Sequence, residues 1–248
     1  MMEEPFRWME AISTRHSYVQ EKLKKGQPVL AVPYQHGALV MGFTSQPGKI
    51  FEVYDRILLG SLGHPADVER LRMTLLDMAH LEGFNRSEKD VTIARLLQFG
   101  IAPAMKQNFE EVMRAPYLVK LLFAEIDFDN HPRFFRLNYD GHWEMFKKGV
   151  VISGNEKESD CIQKQLEQTD FASLTQEEAL KEACRMWEEG KKACASELEE
   201  TDESPMTLAE AFDQWTLEVA VLSTDTQRKA LYRALTPDEI EPLKPAAR

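Results

Sequence analysis

The sequence predicts an α+β fold: a four-layer αββα sandwich, two β-sheets between two helical layers, with an extra helix at the N-terminus. Three observations predict it. Helical and strand-like segments alternate in blocks along the chain: helix, strands, two helices, strands, two helices, strands. The strand-like segments come mostly in pairs joined by short turns. No composition shift marks an internal linker, so residues 27–248 read as one sandwich domain behind an N-terminal segment, residues 1–26.

The elements follow in order. From Trp8 the apolar residues Trp8, Ile12, Val19 and Leu23 fall near one helical face, with Lys22, Lys24 and Lys25 at the C-terminal end and Gly26 as the stop. Val29–Tyr34 and Ala38–Thr44, separated by Gln35-His36-Gly37, read as a β-hairpin. Lys49–Tyr54 and Ile57–Leu62 form a second pair. After Gly63-His64-Pro65 the period changes: Val68, Leu71, Leu75 and Met78 recur at helical spacing up to Gly83. Ser87 with Asp90 opens the next helix, through Ile101, and Pro103 is expected to kink or break it. The helical pattern then resumes through Met105, Phe109 and Val112. Leu118–Phe128 and Phe134–Tyr139 are strands, Asp140-Gly141 is a turn, and Trp143–Ile152 adds strand. Helices follow over 157–167 and 175–189, the second opened by the capping box Thr175-Gln-Glu-Glu178 behind Leu174. Glu197–Glu203 reads as a mobile acidic loop, Trp215–Leu222 as a strand with a partner near Lys229–Leu235, and Pro237 as the start of a short helix.

Composition removes several function classes. Thirty Lys and Arg against 41 Asp and Glu leave a formal charge of −11, which gives no general attraction to phosphate backbones, so no nucleic-acid partner is expected. The start of the chain has no apolar signal core and no apolar run is long enough for a bilayer, so no membrane partner is expected and the cytoplasm is the expected compartment. Cys161, Cys184 and Cys194 are odd in number and widely spaced, which is not a disulfide framework. The six histidines include no i,i+4 pair, and no dinucleotide fingerprint, Walker loop or Gly-x-Ser-x-Gly occurs; neither a metal nor a cofactor is expected.

The layering resembles that of the N-terminal nucleophile hydrolases. Their chemistry needs a Thr, Ser or Cys at the start of a core strand, its own α-amine serving as base. Here the glycine in that place is Gly26, followed by Gln27-Pro28. Glutamine offers no nucleophilic oxygen or sulfur, so no catalytic residue is expected.

Several segments in fixed order carry a closer resemblance. They are Glu21-Lys-Leu-Lys-Lys-Gly26, the hairpin Val29–Phe43 with Tyr34 and Gly37, Lys49-Ile-Phe-Glu-Val-Tyr-Asp-Arg56, and Gly60-Ser-Leu-Gly63 running into a helix. Arg114-Ala-Pro-Tyr117, Tyr139-Asp-Gly141 and Val151-Ile-Ser-Gly154 follow. From about Trp8 to Leu235 the chain resembles a proteasome α-type subunit, most closely the bacterial form. The resemblance implies a non-catalytic subunit of an outer heptameric ring. The partners it implies are further copies of the chain, β-type subunits that supply threonine nucleophiles, a ring-shaped AAA ATPase activator and unfolded protein substrates. Residues 1–26 then correspond to a gate segment and a ring-packing helix.

The same resemblance places the site residues. Lys49 matches the pocket lysine that receives the C-terminal carboxylate of an activator tail between neighbouring subunits. Gly63 and His64 match the turn facing it, His64 standing where an apolar residue is more usual. Val112, Met113 and Arg114 match the loop that narrows the axial pore, and Phe6 and Trp8 belong to the gate. Two other readings stay open at this stage: a proteasome-like ring scaffold without proteolysis, and a hydrolase of the same fold with an unrecognised nucleophile.

Overall fold

The computed structural model describes residues 4–45, 48–195, 205–225 and 231–244; the side chains of residues 4–6 and 195 are outside that description. The acidic stretch Glu197–Glu203 and the residues before Glu4 therefore lie outside the described residues, as does the side chain of Phe6. Among the described residues, ten strands build two five-stranded sheets in which every pairing is antiparallel. Sheet I takes β1 (Val29–Tyr34), β2 (Gly37–Thr44), β8 (Val150–Ile152), β9 (Thr216–Ser223) and β10 (Tyr232–Ala234), in the order β10-β9-β2-β1-β8. Sheet II takes β3 (Ile50–Tyr54), β4 (Ile57–Gly63), β5 (Val119–Ile126), β6 (Pro132–Leu137) and β7 (Trp143–Phe146), in sequence order.

The central strands are apolar almost without interruption because both of their faces are covered. In β1 and β2, Val29, Ala31, Ala38 and Val40 point into a core shared with Leu58, Leu122 and Ala124 of sheet II. The alternate residues Leu30, Val32, Leu39, Met41 and Phe43 pack against α5 (Glu156–Gln168), α6 (Gln176–Ala195) and α7 (Leu208–Gln214). Sheet II divides in the same way. Ile57, Leu59, Val119, Leu121 and Phe123 face α2 (Pro65–Asn85), α3 (Ile93–Leu96) and α4 (Ala102–Glu110). The two-residue period of a strand thus serves two cores at once. The first helix, α1 (Glu4–Leu23), adds Val19 and Leu23 to the core between the sheets. No described helix is long and apolar enough to cross a membrane.

Several local expectations are corrected. α1 begins at Glu4, before Trp8. Gly83 does not stop α2, which runs on to Asn85. Ser87 caps only a 3-10 turn, Glu88–Asp90, and Thr92 caps the helix proper, its Oγ1 accepting the Arg95 amide (3.4 Å). Pro103 does not break the helix. A π-turn over Leu97–Ile101 widens the backbone just before it, with the Ala102 N–H reaching Leu97 O, so the missing proline donor falls in a turn already rebuilt. The helix ends at Glu110, leaving Val112 in a loop.

The single strand expected over Trp143–Ile152 is two strands in different sheets. Gly149, at φ +136°, turns the chain between them, and a Cβ there would stand 2.9 Å from Ala31 O. The capping box at Thr175 forms as expected, and its helix continues six residues beyond Glu189 to Ala195. Sequence periodicity missed α7, whose seven residues are too few for a pattern. A second capping box opens it: Thr207 Oγ1 accepts the Glu210 amide (3.3 Å) and Glu210 accepts the Thr207 amide (2.8 Å). Thr207→Ala should cost about 1 kcal/mol in chemical denaturation; an unchanged midpoint would show that α7 is held by packing alone.

Candidate functional site

Lys49 stands where β2 gives way to β3, and its backbone is held from both sides. Glu218 of β9 accepts the amides of Gly48 (2.6 Å), Lys49 (2.8 Å) and Ile50 (3.3 Å), three successive N–H groups converging on one carboxylate. From β4, Ser61 donates its amide (2.8 Å) and its hydroxyl (3.0 Å) to Lys49 O. The side chain is therefore launched from a fixed point. Its ammonium donates to Gln27 O (3.1 Å), the carbonyl of the residue that leads into β1. Burial pushes the Lys49 pKa down to about 8, the Glu218 charge opposing the shift and Lys191 adding to it.

Lys49 lines two cavities, which share Gly63 and Pro65 with it. One, about 340 Å³, is walled by Lys22, Leu23 and Gly26 at the end of α1, by Leu62, Gly63, His64 and Pro65, and by Leu118. The other, about 420 Å³, lies toward Thr44, Phe51 and Ser61. The three residues that the sequence singled out, Lys49, Gly63 and His64, thus meet at one cavity wall. Gly63 has φ +140°, and a Cβ there would fall 2.0 Å from Leu118 O. That approach lets the His64 amide donate to the same carbonyl (2.8 Å). His64 in turn caps α2: its Nδ1 accepts the Ala66 amide (3.3 Å), which places the ring proton on Nε2, and Pro65 fills the first helical position. The histidine therefore has a local reason to replace an apolar residue. It supplies an acceptor to the helix N-terminus while staying exposed at the cavity rim.

A buried polar cluster sits behind β1. Ser153, 1% exposed, donates its hydroxyl to Glu158, 2% exposed; Lys191 pairs with the same carboxylate at 2.8 Å, and Lys120 donates to Ser153 O (2.9 Å). The Ser153 hydroxyl is enclosed and committed to the carboxylate, so it is not presented to a substrate.

The expected gate and pore residues lie on two other elements. Trp8 is 48% exposed on α1. Val112, Met113 and Arg114 form the exposed loop after α4, where Met113 is 95% exposed. Sequence reasoning missed Arg15, which reaches from α1 to this loop's carbonyls. The available signal was an arginine flanked at i−3 and i+4 by Ile12 and Val19, inside an apolar stripe. It also missed Glu218, whose role depends on a segment 169 residues away and has no local signature.

Among the described residues, one set of ligand types converges on the β5–β6 turn: Asp127, Asp129 and His131. Asp127 there already accepts the Asp129 (2.9 Å) and His131 (2.8 Å) amides and pairs with Arg133 at 2.8 Å, which accounts for the cluster as turn structure.

Residues 23–204 match the proteasome subunit family. The chain is 31% identical over 188 residues to the proteasome subunit alpha of Streptosporangium roseum, covering 73% of this chain and 70% of that one. It is 27% identical over 235 residues to that of Saccharomonospora viridis (94% and 86%) and 28% over 241 residues to that of Acidothermus cellulolyticus (96% of each). With the family match spanning most of the chain, and with two antiparallel sheets flanked by helices beneath it, this chain belongs to the proteasome α-subunit family.

Proposed function

We propose that the chain is a non-catalytic ring subunit of a bacterial proteasome core particle, in the cytoplasm. Seven copies form an outer ring that stacks on β-type subunits, gates entry of unfolded protein and docks a ring-shaped ATPase. On this reading the sheets and helices make the four-layer αββα sandwich of the N-terminal nucleophile hydrolases over residues 27–248. Residues 1–26 supply the gate, with Phe6 and Trp8, and the helix that packs between neighbours. Val112, Met113 and Arg114 rim the pore. The exposed apolar residues Met73, Leu81 and Phe84 share one side of α2 and favour burial against another subunit.

The observation that carries the reading is the Lys49 ammonium. It lies at a cavity wall beside Gly63 and His64, and its hydrogen-bond partner among the described residues is a neutral carbonyl. Among the described residues no carboxylate is hydrogen-bonded to this desolvated ammonium, Glu218 acting on it only through its charge, so it is suited to receive one, and a chain-terminal carboxylate would form a charge-assisted hydrogen bond there. At the place of a nucleophile stands Gln27, whose carbonyl positions this lysine instead.

The test is a peptide ending in a free carboxylate, against its C-terminal amide. Lys49→Ala should weaken binding of the acid by about 10–100-fold, the worth of a hydrogen bond to a charged group. The amide should bind both chains equally weakly. Affinity for the acid should fall as pH rises through about 8, where the ammonium is lost. Equal binding of acid and amide by the unaltered chain would reject the pocket. Co-purification with a β-type subunit into a particle that hydrolyses peptide is expected; a ring that takes no such partner would favour a scaffold, and amide cleavage by the chain alone would favour a hydrolase.

A further inference from the structure

We propose that Arg15 is the positioning residue of the Val112–Arg114 loop: a guanidinium on α1 that caps the C-terminus of α4 and ties loop and N-terminal helix into one moving unit. The inference rests on the pore reading given above only for its consequence, since the clamp itself is a matter of geometry.

α4 ends at Glu110, and the Glu111 amide closes its last turn on Gln107 O (3.1 Å). The next carbonyls, Asn108 and Phe109, have no following helical amide to accept. Arg15 supplies both donors, its Nη2 to Asn108 O at 3.1 Å and its Nε to Phe109 O at 3.0 Å. The remaining nitrogen, Nη1, turns to the loop and donates to Val112 O (3.2 Å) and Arg114 O (2.6 Å). All three guanidinium nitrogens are thus engaged, and the group also lies 5.8 Å from the centre of the Phe109 ring. A cation at a helix C-terminus meets the negative end of the helix dipole as well as its unpaired carbonyls.

Two features make this a coupling and not only a cap. First, the donor and acceptors lie 93 to 99 residues apart in sequence, the donor on α1 and the acceptors on the end of α4 and the loop after it. The connection is therefore tertiary. Second, the far end of the loop is pinned separately: Asn108 Oδ1 accepts the Tyr117 amide (3.3 Å) and its Nδ2 donates to Ala115 O (3.4 Å). With its backbone held at both ends, the loop presents the apolar side chains of Val112 and Met113 to solvent at a set height. A displacement of α1 carries Arg15 with it, so the loop must follow or lose its two bonds to Val112 O and Arg114 O, and the end of α4 its two to Asn108 O and Phe109 O. Lysine cannot substitute, because one ammonium on a flexible stem cannot span four carbonyls arrayed around a planar fork.

The experiment is amide hydrogen exchange on the full chain, for the unaltered protein, Arg15→Lys and Arg15→Ala. Both variants should speed exchange over residues 110–117 by about tenfold while the strands of sheet II exchange as before. Millimolar guanidinium should restore protection in Arg15→Ala and leave the unaltered chain unchanged. Unchanged exchange in either variant, or full protection in Arg15→Lys, would overturn the proposal. If Arg15→Ala loses protection throughout, Arg15→Lys with its smaller change in volume carries the test. In a particle assembled with a β-type subunit, the loosened loop should also alter the rate at which unfolded protein enters. Loss of protection without a change in entry would leave the clamp standing and remove the pore role, whereas altered entry without loss of protection would do the reverse.

Discussion

Gly63→Ala should cost about 4 kcal/mol, combining roughly 1–3 kcal/mol of backbone strain with a similar overpacking cost. At φ +140° an L side chain is strained before any contact is considered. The new Cβ would then lie 2.0 Å from Leu118 O and 2.8 Å from Val119 Cα, backbone atoms where the chain enters the neighbouring strand β5, which cannot swing aside. Relief requires β4 and β5 to separate at their Gly63–Val119 pairing. That movement would also break the His64 amide bond to Leu118 O and with it the start of α2. The carboxylate-terminated peptide should therefore lose affinity even where the variant remains folded. Gly48→Ala is the control. Its φ is +110°, yet the nearest atom to a Cβ is Phe51 Cζ at 3.4 Å, so it should show the strain without the collision, about 1–2 kcal/mol. Urea denaturation measures both, and equal midpoints for the two variants would refute the steric argument.

Glu125→Gln should stabilise the protein by about 2 kcal/mol at pH 8 and hardly at all at pH 4.5. Glu125 lies in β5, 3% exposed, with Oε1 accepting the Ile93 amide (3.0 Å) at the N-terminus of α3. Burial pushes its pKa up to about 7, with the Ile93 amide and Arg133 opposing the shift and Asp127 reinforcing it. The folded chain thus holds this proton more tightly than the unfolded chain, whose carboxyl titrates near 4.5. Between those two values the native state binds more protons, so stability falls as pH rises and levels off above about 7. Glutamine keeps the acceptor for Ile93 and removes the charge, so the variant should lose this part of the pH dependence. Urea midpoints at pH 5, 6, 7 and 8 decide the matter. Parallel pH profiles for the two chains would place the dependence on other groups.

Much of the architecture was legible because strand and helix periods are local properties. The apolar runs of β1, β2 and β5 announced strands, and Thr175 with Glu178 announced a helix start; that both faces of those strands are covered came only with the structure. Where two local signals competed, sequence reasoning failed. Pro103 reads as a kink or a break, but the helix is not broken there, because a π-turn beside it absorbs the missing donor. Trp143–Ile152 reads as one strand, but Gly149 redirects it into the other sheet. His64 was visible as a departure from a resemblance, while its reason, an acceptor for the Ala66 amide, appeared only with the helix in place.

The sequence by itself determined the alternation of elements, the glutamine at the head of β1, the identity of the lysine at the head of β3 and the family to which they point. Tertiary structure decided what surrounds that lysine. Gln27 O reaches it across 22 residues, and Glu218 fixes its backbone across 169. Arg15 meets the loop after α4 in the same way, over more than 90 residues. The physical reason is common to all three. Residue type and spacing determine which face is apolar and which group carries charge, but a carbonyl or carboxylate becomes the partner of a particular ammonium, guanidinium or amide donor only when the two sheets and the first helix close around a shared core.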